Sequence, residues 1–293
     1  MSMTLEQASN VARRLGLDEH GLSIDSVSGG DTCQATRLRC SDATVFVKSA
    51  SLQQAGLLSS EADGLQALAE SGCVRVPKAL GRGQFEVGEG AWLALEALEL
   101  RPRDEVADRR LGQQLAALHA CTGEQFGWRR NNYIGRMPQS NRPNSDWAVF
   151  FREQRLRPQI ERLLTRFPER KLAPDAERVL ARWSSICADH KPPPALLHGD
   201  LWAGNAASLA DQQPVVYDPA VHFGDGECDL AMADLFGGFS RTFFAAYEQA
   251  RPLPEGWQRR RAFYQLYHLL NHANLFAGAY VARVATELAR LAR

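Results

Sequence analysis

Several things are missing from this sequence, and each absence narrows what the chain can be. It has no run of about eighteen apolar residues, so a helix that spans a bilayer is excluded. Neither sign of charge is in excess, with 34 Lys and Arg against 34 Asp and Glu. A nucleic-acid binder would show a basic patch or a surplus of Lys and Arg, and the short Arg runs at 101–103 and 259–261 read as solvated faces. The six cysteines (33, 40, 73, 121, 187 and 228) include no Cys-x-x-Cys pair and have no histidine at zinc spacing. Free thiols in a reducing compartment are therefore expected. The first seventeen residues carry Glu6, Arg13 and Arg14 and lack the apolar centre of a signal peptide. Neither an internal repeat nor a low-complexity linker is visible. Together these absences predict a soluble, cytoplasmic protein with no nucleic-acid or membrane partner.

What is present is more specific. With 293 residues, 45% of them hydrophobic, the chain can bury one large core or two moderate ones, and two lobes are the natural expectation. An apolar run at 195–197 leads into His198, Gly199 and Asp200, with Asn205 five residues on; a second apolar run at 215–217 ends in Asp218. The order of carboxylate, amide and carboxylate is the order of parts in phosphoryl transfer. Asp200 is placed to accept a hydroxyl proton. Asn205 and Asp218 are candidate Mg²⁺ ligands, because a hard cation takes carboxylate, amide and water oxygens. The bland alternative is that Asp200 and Asn205 are turn residues.

The N-terminal half supplies the rest of a nucleotide site. Thr4 can cap a helix through about Leu15, with Leu5, Ala8, Val11, Ala12 and Leu15 at helical spacing. Strands are expected at 22–27 and 35–39, around a turn containing Gly29 and Gly30, where bare backbone N–H groups can approach phosphates or simply close a hairpin. The strand at 44–48 ends in Lys48; no lysine precedes it and none follows before Lys78. Ser60 can cap a helix carrying Glu61. A third-strand lysine held by a glutamate on the next helix is how kinases bind the α- and β-phosphates. Otherwise Lys48 guards an edge strand and Glu61 favours a helix N-terminus. Two more runs, 76–85 and 91–98, complete a small antiparallel sheet, and the backbone of Glu96 to Leu98 would meet an adenine edge at the hinge between lobes.

From Arg109 the character turns helical, with an apolar stripe of Leu111, Leu115 and Leu118 ending at His119. A polar stretch at 121–144, containing Asn131, Asn132, Tyr133, Gln139 and Asn141, is longer than about fifteen residues and so suggests a binding loop. One long helix is expected from Trp147 to about Leu164, with its aromatic start in the core, and another around Val179 to Ile186. Asp229 reads as the cap of a following helix, and further helices are expected near 242–250, 257–276 and 279–292. The pattern is α+β: an ATP-binding lobe over residues 1–97 with a small antiparallel sheet, and a larger, mainly helical catalytic and substrate lobe over 98–293.

With these residues in hand, the chain resembles the fructosamine kinase, or ketosamine-3-kinase, family within the aminoglycoside-phosphotransferase and choline-kinase-like fold. The likeness covers nearly the whole chain. It includes Phe46-Val47-Lys48, Glu61, Val74 to Lys78, Asn132-Tyr133-Ile134-Gly135, Pro138-Gln139, Asp146-Trp147, Arg155-Leu156, His198 to Asn205, Asp218-Pro219-Ala220 and Glu227 to Met232. Some members carry a cysteine where this chain has Asp31. The resemblance implies a bilobal, protein-kinase-like fold and an enzyme that uses ATP and Mg²⁺. It implies Asp200 as base, Asn205 and Asp218 as metal ligands, and Lys48 braced by Glu61. The implied acceptor is a ketoamine, such as a ribulosamine or fructosamine adduct of lysine, phosphorylated on its 3-hydroxyl. Such phosphates eliminate and free the amine, which links the family to deglycation. Trp202, Tyr133, His222 and Glu227 are candidate acceptor contacts, with Trp147 and Asp225 nearby in the pattern. A kinase for aminoglycosides or choline would share the same core residues. A pseudokinase scaffold would have lost Lys48, Asp200, Asn205 or Asp218, and none is lost.

Overall fold

The computed structural model describes residues 3–27 and 33–293, so Gly29, Gly30 and Asp31 lie outside the described residues. The chain packs as two units, Met1–Asp104 with Ala206–Pro219, and Glu105–Asn205 with Ala220–Arg293.

The first unit begins with α1 (Leu5–Leu15), started by a capping box in which Thr4 Oγ1 accepts the Gln7 N–H and the Gln7 side chain accepts the Thr4 N–H. It stops at Gly16, whose φ of +72° suits the left-handed turn that ends a helix. Ala8, Val11 and Ala12 bury against Leu38, Val45, Val47, Trp92 and Ala94 on one face of a sheet. That sheet comprises β1 (Ser23–Val27), β2 (Gln34–Arg39), β3 (Thr44–Ala50), β4 (Ala79–Gln84) and β5 (Ala91–Glu96), all antiparallel, in the order β1-β2-β3-β5-β4. Between β3 and β4 runs α2 (Ala55–Glu70), which starts five residues before the expected cap at Ser60 and has no side-chain cap at all. Leu57 and Leu58 are buried, so the apolar stripe begins a turn earlier and its burial outweighs the capping signal.

The second unit opens with α3 (Glu105–Leu118), which starts four residues before the expected Arg109. Its first turn carries Glu105 and Asp108, both favourable at a helix N-terminus. The polar stretch folds around a short hairpin of β6 (Asn132–Ile134) and β7 (Met137–Gln139). Where one helix was expected, α4 (Trp147–Phe151) passes through a π-helical turn at Arg152–Leu156 into α5 (Arg157–Arg166). The aromatic start is core as expected: Trp147, Phe150 and Phe151 are buried with Trp183 of α6 (Ala173–Ile186) and Tyr264. β8 (Ala195–Leu197) follows. The chain then contributes the hairpin β9 (Ala206–Ser208) and β10 (Pro214–Val216) to the first unit, where the Val216 N–H donates to the Arg75 carbonyl. Back in the second unit, β11 (His222–Gly224) pairs with β8, and α7 (Glu227–Leu235), α8 (Arg241–Ala250), α9 (Trp257–Phe276) and α10 (Ala279–Leu291) complete the helical body. Among the described residues no helix is long and apolar enough to cross a membrane, and none of the six cysteines is in a disulfide.

Candidate active site

In the first unit the structure brings Lys48, Glu61 and Asp218 together. β3 lies inside the sheet, with Lys48 opposite Ala35 on one side and Leu93 on the other, so an edge-guarding role for this lysine falls away. Its Nζ donates to Glu61 Oε1 at 2.7 Å and to Asp218 Oδ1. The Lys48 and Glu61 side chains are only 12% and 13% exposed, so the charges feel one another strongly. Burial works against the ammonium, but Glu61 and Asp218 outweigh it and raise the Lys48 pKa above the ordinary value. Burial pushes Glu61 up to about 7, against the pull of Lys48.

Asp218 follows β10 and adopts a φ of +56°. A non-glycine residue held in this left-handed region costs about 1–3 kcal/mol and persists only where its surroundings impose it, often at functional sites. At the end of β5, Glu96 is tied by its side chain to Arg75 through two bonds of 2.6 Å and by Oε2 to the Lys78 N–H. Partial burial would raise its pKa, but those bonds hold it below the usual carboxylate range. Its own N–H donates to the Lys78 carbonyl, and the Leu98 carbonyl accepts the Leu100 N–H.

In the second unit β8 delivers the turn His198-Gly199-Asp200. Gly199 has a φ of +82°, and a Cβ there would lie 2.1 Å from the Ala220 carbonyl oxygen, so only glycine fits. The Asp200 N–H donates to His198 Nδ1 at 3.3 Å. Asn205 Nδ2 donates to the Asp200 carbonyl at 2.9 Å, and its amide oxygen is an atom of the type a hard cation takes. The Trp202 ring lies across Gly204 and is 41% exposed, two residues from Asp200. Asp200, Trp202 and Asn205 thus share one short turn.

Asp229 does not cap α7 as expected. It sits inside the first turn of that helix, and its two oxygens accept the N–H groups of His198 and Gly199, each at 2.8 Å. His119 Nε2 lies 3.2 Å from the same carboxylate, and His119 Nδ1 lies 2.8 Å from the Tyr247 hydroxyl. Burial opposes the Asp229 charge, yet the His119 contact, the nearby His198 and the Gly199 N–H win and lower its pKa. This brace on the turn that carries Asp200, with His119 behind it, is the feature of the candidate site that sequence reasoning missed. Nothing local in the sequence marks it, because its partners lie 30 and 110 residues away.

The remaining acceptor candidates sit differently. Tyr133 is half-buried on β6. His222 is buried on β11 with Nδ1 against the Ala220 carbonyl, and burial pushes its pKa well below the ordinary value. Glu227 is buried with both oxygens on Arg260, at 2.6 and 2.8 Å. Burial raises its pKa to about 6, against Arg260. Asp225 Oδ2 meets His190 at 2.6 Å and the Tyr264 hydroxyl at 2.7 Å, and Trp147 donates to that same hydroxyl. His222, Glu227, Asp225 and Trp147 find partners inside the core, whereas Trp202 is exposed.

A model of the fructosamine kinase family matches residues 3–293. The chain belongs to that family. It is 42% identical over 259 residues to a probable ketoamine kinase of Synechocystis, which covers 87% of this chain and 85% of the relative. It is 33% identical over 260 residues to a chloroplastic protein-ribulosamine 3-kinase of Arabidopsis thaliana, which covers 88% and 78% respectively. The crystal structure of a provisionally named fructosamine-3-kinase from Haemophilus somnus matches with a TM-score of 0.87 at 27% identity, over 97% of this chain and 96% of that one. Membership of the fructosamine kinase family makes the protein a kinase, a phosphotransferase with an alcohol acceptor and ATP as donor. Its fold is the bilobal, α+β, kinase-like one expected from the sequence.

Proposed function

We propose that this protein phosphorylates the 3-hydroxyl of ketoamines, ribulosamine and fructosamine adducts of lysine, and so acts in deglycation. The observation that carries the reading is the braced turn that holds Asp200, Trp202 and Asn205 together in a fructosamine kinase chain. The names of the Synechocystis and Arabidopsis relatives support the acceptor class. In this reading Asp200 accepts the proton of the attacking hydroxyl, and the exposed Trp202 face covers the carbon skeleton of the sugar. Lys48, kept charged by Glu61, takes the α- and β-phosphates, together with the backbone of Gly29 and Gly30. The backbone at Glu96 to Leu98 meets the adenine edge. Asn205 and Asp218 fit Mg²⁺, since they offer an amide and a carboxylate oxygen and Asp218 is already held in a strained conformation. A bound Mg²⁺ would offset charge on the transferring phosphate. Residues 1–97 then serve nucleotide binding, and 98–293 catalysis and acceptor binding.

The test is ATP consumption against ketoamines, aminoglycosides and choline. Ribulose- or fructose-derived lysine adducts should have kcat/KM at least about tenfold above any other acceptor, a difference of about 1.4 kcal/mol in transition-state binding. Equal or better turnover of an aminoglycoside would overturn the assignment.

A further inference from the structure

The polar stretch that looked like a binding loop turns three of its amides inward. Asn132, Gln139 and Asn141 are 4%, 3% and 1% exposed. Arg155, on the π-helical turn and 1% exposed, donates through Nη2 to Asn141 Oδ1 at 2.7 Å and through Nη1 to the carbonyls of Ser140 and Gln154. Asn141 Nδ2 then donates to Asn132 Oδ1 at 2.7 Å, and Gln139 Nε2 donates to the same oxygen at 2.9 Å. Asn132 Nδ2 donates to the Val221 carbonyl at 2.8 Å, and Gln139 Nε2 also reaches the Ala220 carbonyl at 3.3 Å. From α9 the Tyr267 hydroxyl donates to Gln139 Oε1 at 2.6 Å.

The chemistry of the ends dictates the direction of each bond. A guanidinium can only donate and a backbone carbonyl can only accept, so the amides between them are locked in one orientation. Burial holds the Tyr267 hydroxyl protonated, against Arg155 and with Asp200 adding to the effect, so it too is a donor. Among the described residues no carboxylate pairs with Arg155; its guanidinium lies 4.8 Å from the centre of the Phe150 ring, and burial lowers its pKa to about 10. A buried cation without a counter-charge is costly, and a network of this kind persists when its geometry is needed.

The backbone it grips is the bed of the catalytic turn. The Ala220 N–H donates to the His198 carbonyl at 2.8 Å, and the Ala220 carbonyl lies where a Gly199 Cβ would be. We propose that Arg155, Asn132, Gln139, Asn141 and Tyr267 are positioning residues that fix Ala220 and Val221 and thereby set the placement of Asp200. Asp229 holds the turn by its N–H groups; this network holds it from the His198 carbonyl side. The inference rests on the reading of Asp200 as the base.

Two variants test it. Gln139→Met keeps the length of the side chain and removes both N–H donors, and Tyr267→Phe removes one hydroxyl. Gln139→Met should lower kcat about 10- to 100-fold while KM for ATP stays within about twofold, because a misplaced base costs turnover and not ground-state binding. Amide hydrogen exchange should speed up in the segments 196–203 and 218–224. Tyr267→Phe should shift both readouts the same way by less, and it decides the matter if Gln139→Met does not fold. Asp200→Asn is measured alongside. Full turnover in Asp200→Asn would remove the base and this inference together. An inactive Asp200→Asn with unchanged kcat in both network variants, or a lowered kcat with unchanged exchange in those segments, would overturn the network alone.

Discussion

At the scale of single residues, charge and hydrogen-bond capacity decide what each position tolerates. Lys48 stands between two carboxylates, and Glu61 already binds a proton readily because burial has pushed it up to about 7. Replacing Lys48 with Met removes the cation, and Glu61 then takes a proton at neutral pH instead of remaining as a bare buried charge. Stability should therefore fall by less than the 3–5 kcal/mol or so of a broken buried pair, while turnover drops at least about 100-fold for want of a phosphate partner. Steady-state kinetics and thermal unfolding of the same preparation separate the two effects. Asp229→Asn is the complementary case. An amide offers one acceptor oxygen where the carboxylate serves two N–H groups, so one donor of the Asp200 turn is left unsatisfied. The expected cost is about 1–3 kcal/mol of stability, with kcat reduced and KM for ATP little changed. Full kcat in this variant would show that the brace is dispensable.

At the scale of elements, a turn with no room contrasts with a helix end that has slack. Gly199→Ala forces a Cβ to within 2.1 Å of the Ala220 oxygen at a φ of +82°, so the β8 turn must move. Activity should be lost by about 100-fold or more even where the protein still folds. Thr4→Ala removes half of the α1 capping box far along the chain from the turn; it should cost about 1 kcal/mol and leave kcat alone. Circular dichroism melts and turnover measured on both variants check the contrast. The same difference governs what could be read beforehand. α1 follows its local signals residue by residue, from Thr4 to Gly16. α2 does not, because the burial of Leu57 and Leu58 moves its start upstream of the Ser60 signal.

For the whole molecule, buried titratable groups set a stability profile with two slopes. Asp225 and Asp229 are held below the ordinary carboxylate value of 3.8, mainly by their histidine contacts acting against burial. Their contribution is complete above that value and is lost as pH falls through the lower folded one. Glu61 and Glu227 are raised from 4.5 to about 7 and about 6. Theirs is complete below 4.5 and is lost as pH rises through 6 to 7. Without nucleotide, these groups put the maximum of stability between about pH 3.8 and 4.5, with Tm a few degrees lower at pH 8 and a steep fall below about pH 3.5. Scanning calorimetry across that range checks this; a Tm that climbs steadily from pH 5.5 to 8 would contradict it.

By itself the sequence determined the parts that depend on order and local chemistry. That Lys48, Glu61 and Asp218 meet, and that Asp200 and Asn205 share a turn, was legible from their order and residue types, and the strands and helices around them follow from apolar spacing. Tertiary structure alone decided which polar groups face inward. His222 and Glu227 read as acceptor contacts and lie buried on Ala220 and Arg260, while Asn132, Gln139 and Asn141 read as a binding loop and grip backbone instead. It also decided that residues 206–219 pack with a unit that otherwise ends a hundred residues earlier. The physical reason is the same in each case: a buried polar group must find a partner wherever the fold brings one, and distance along the chain says nothing about who that partner is.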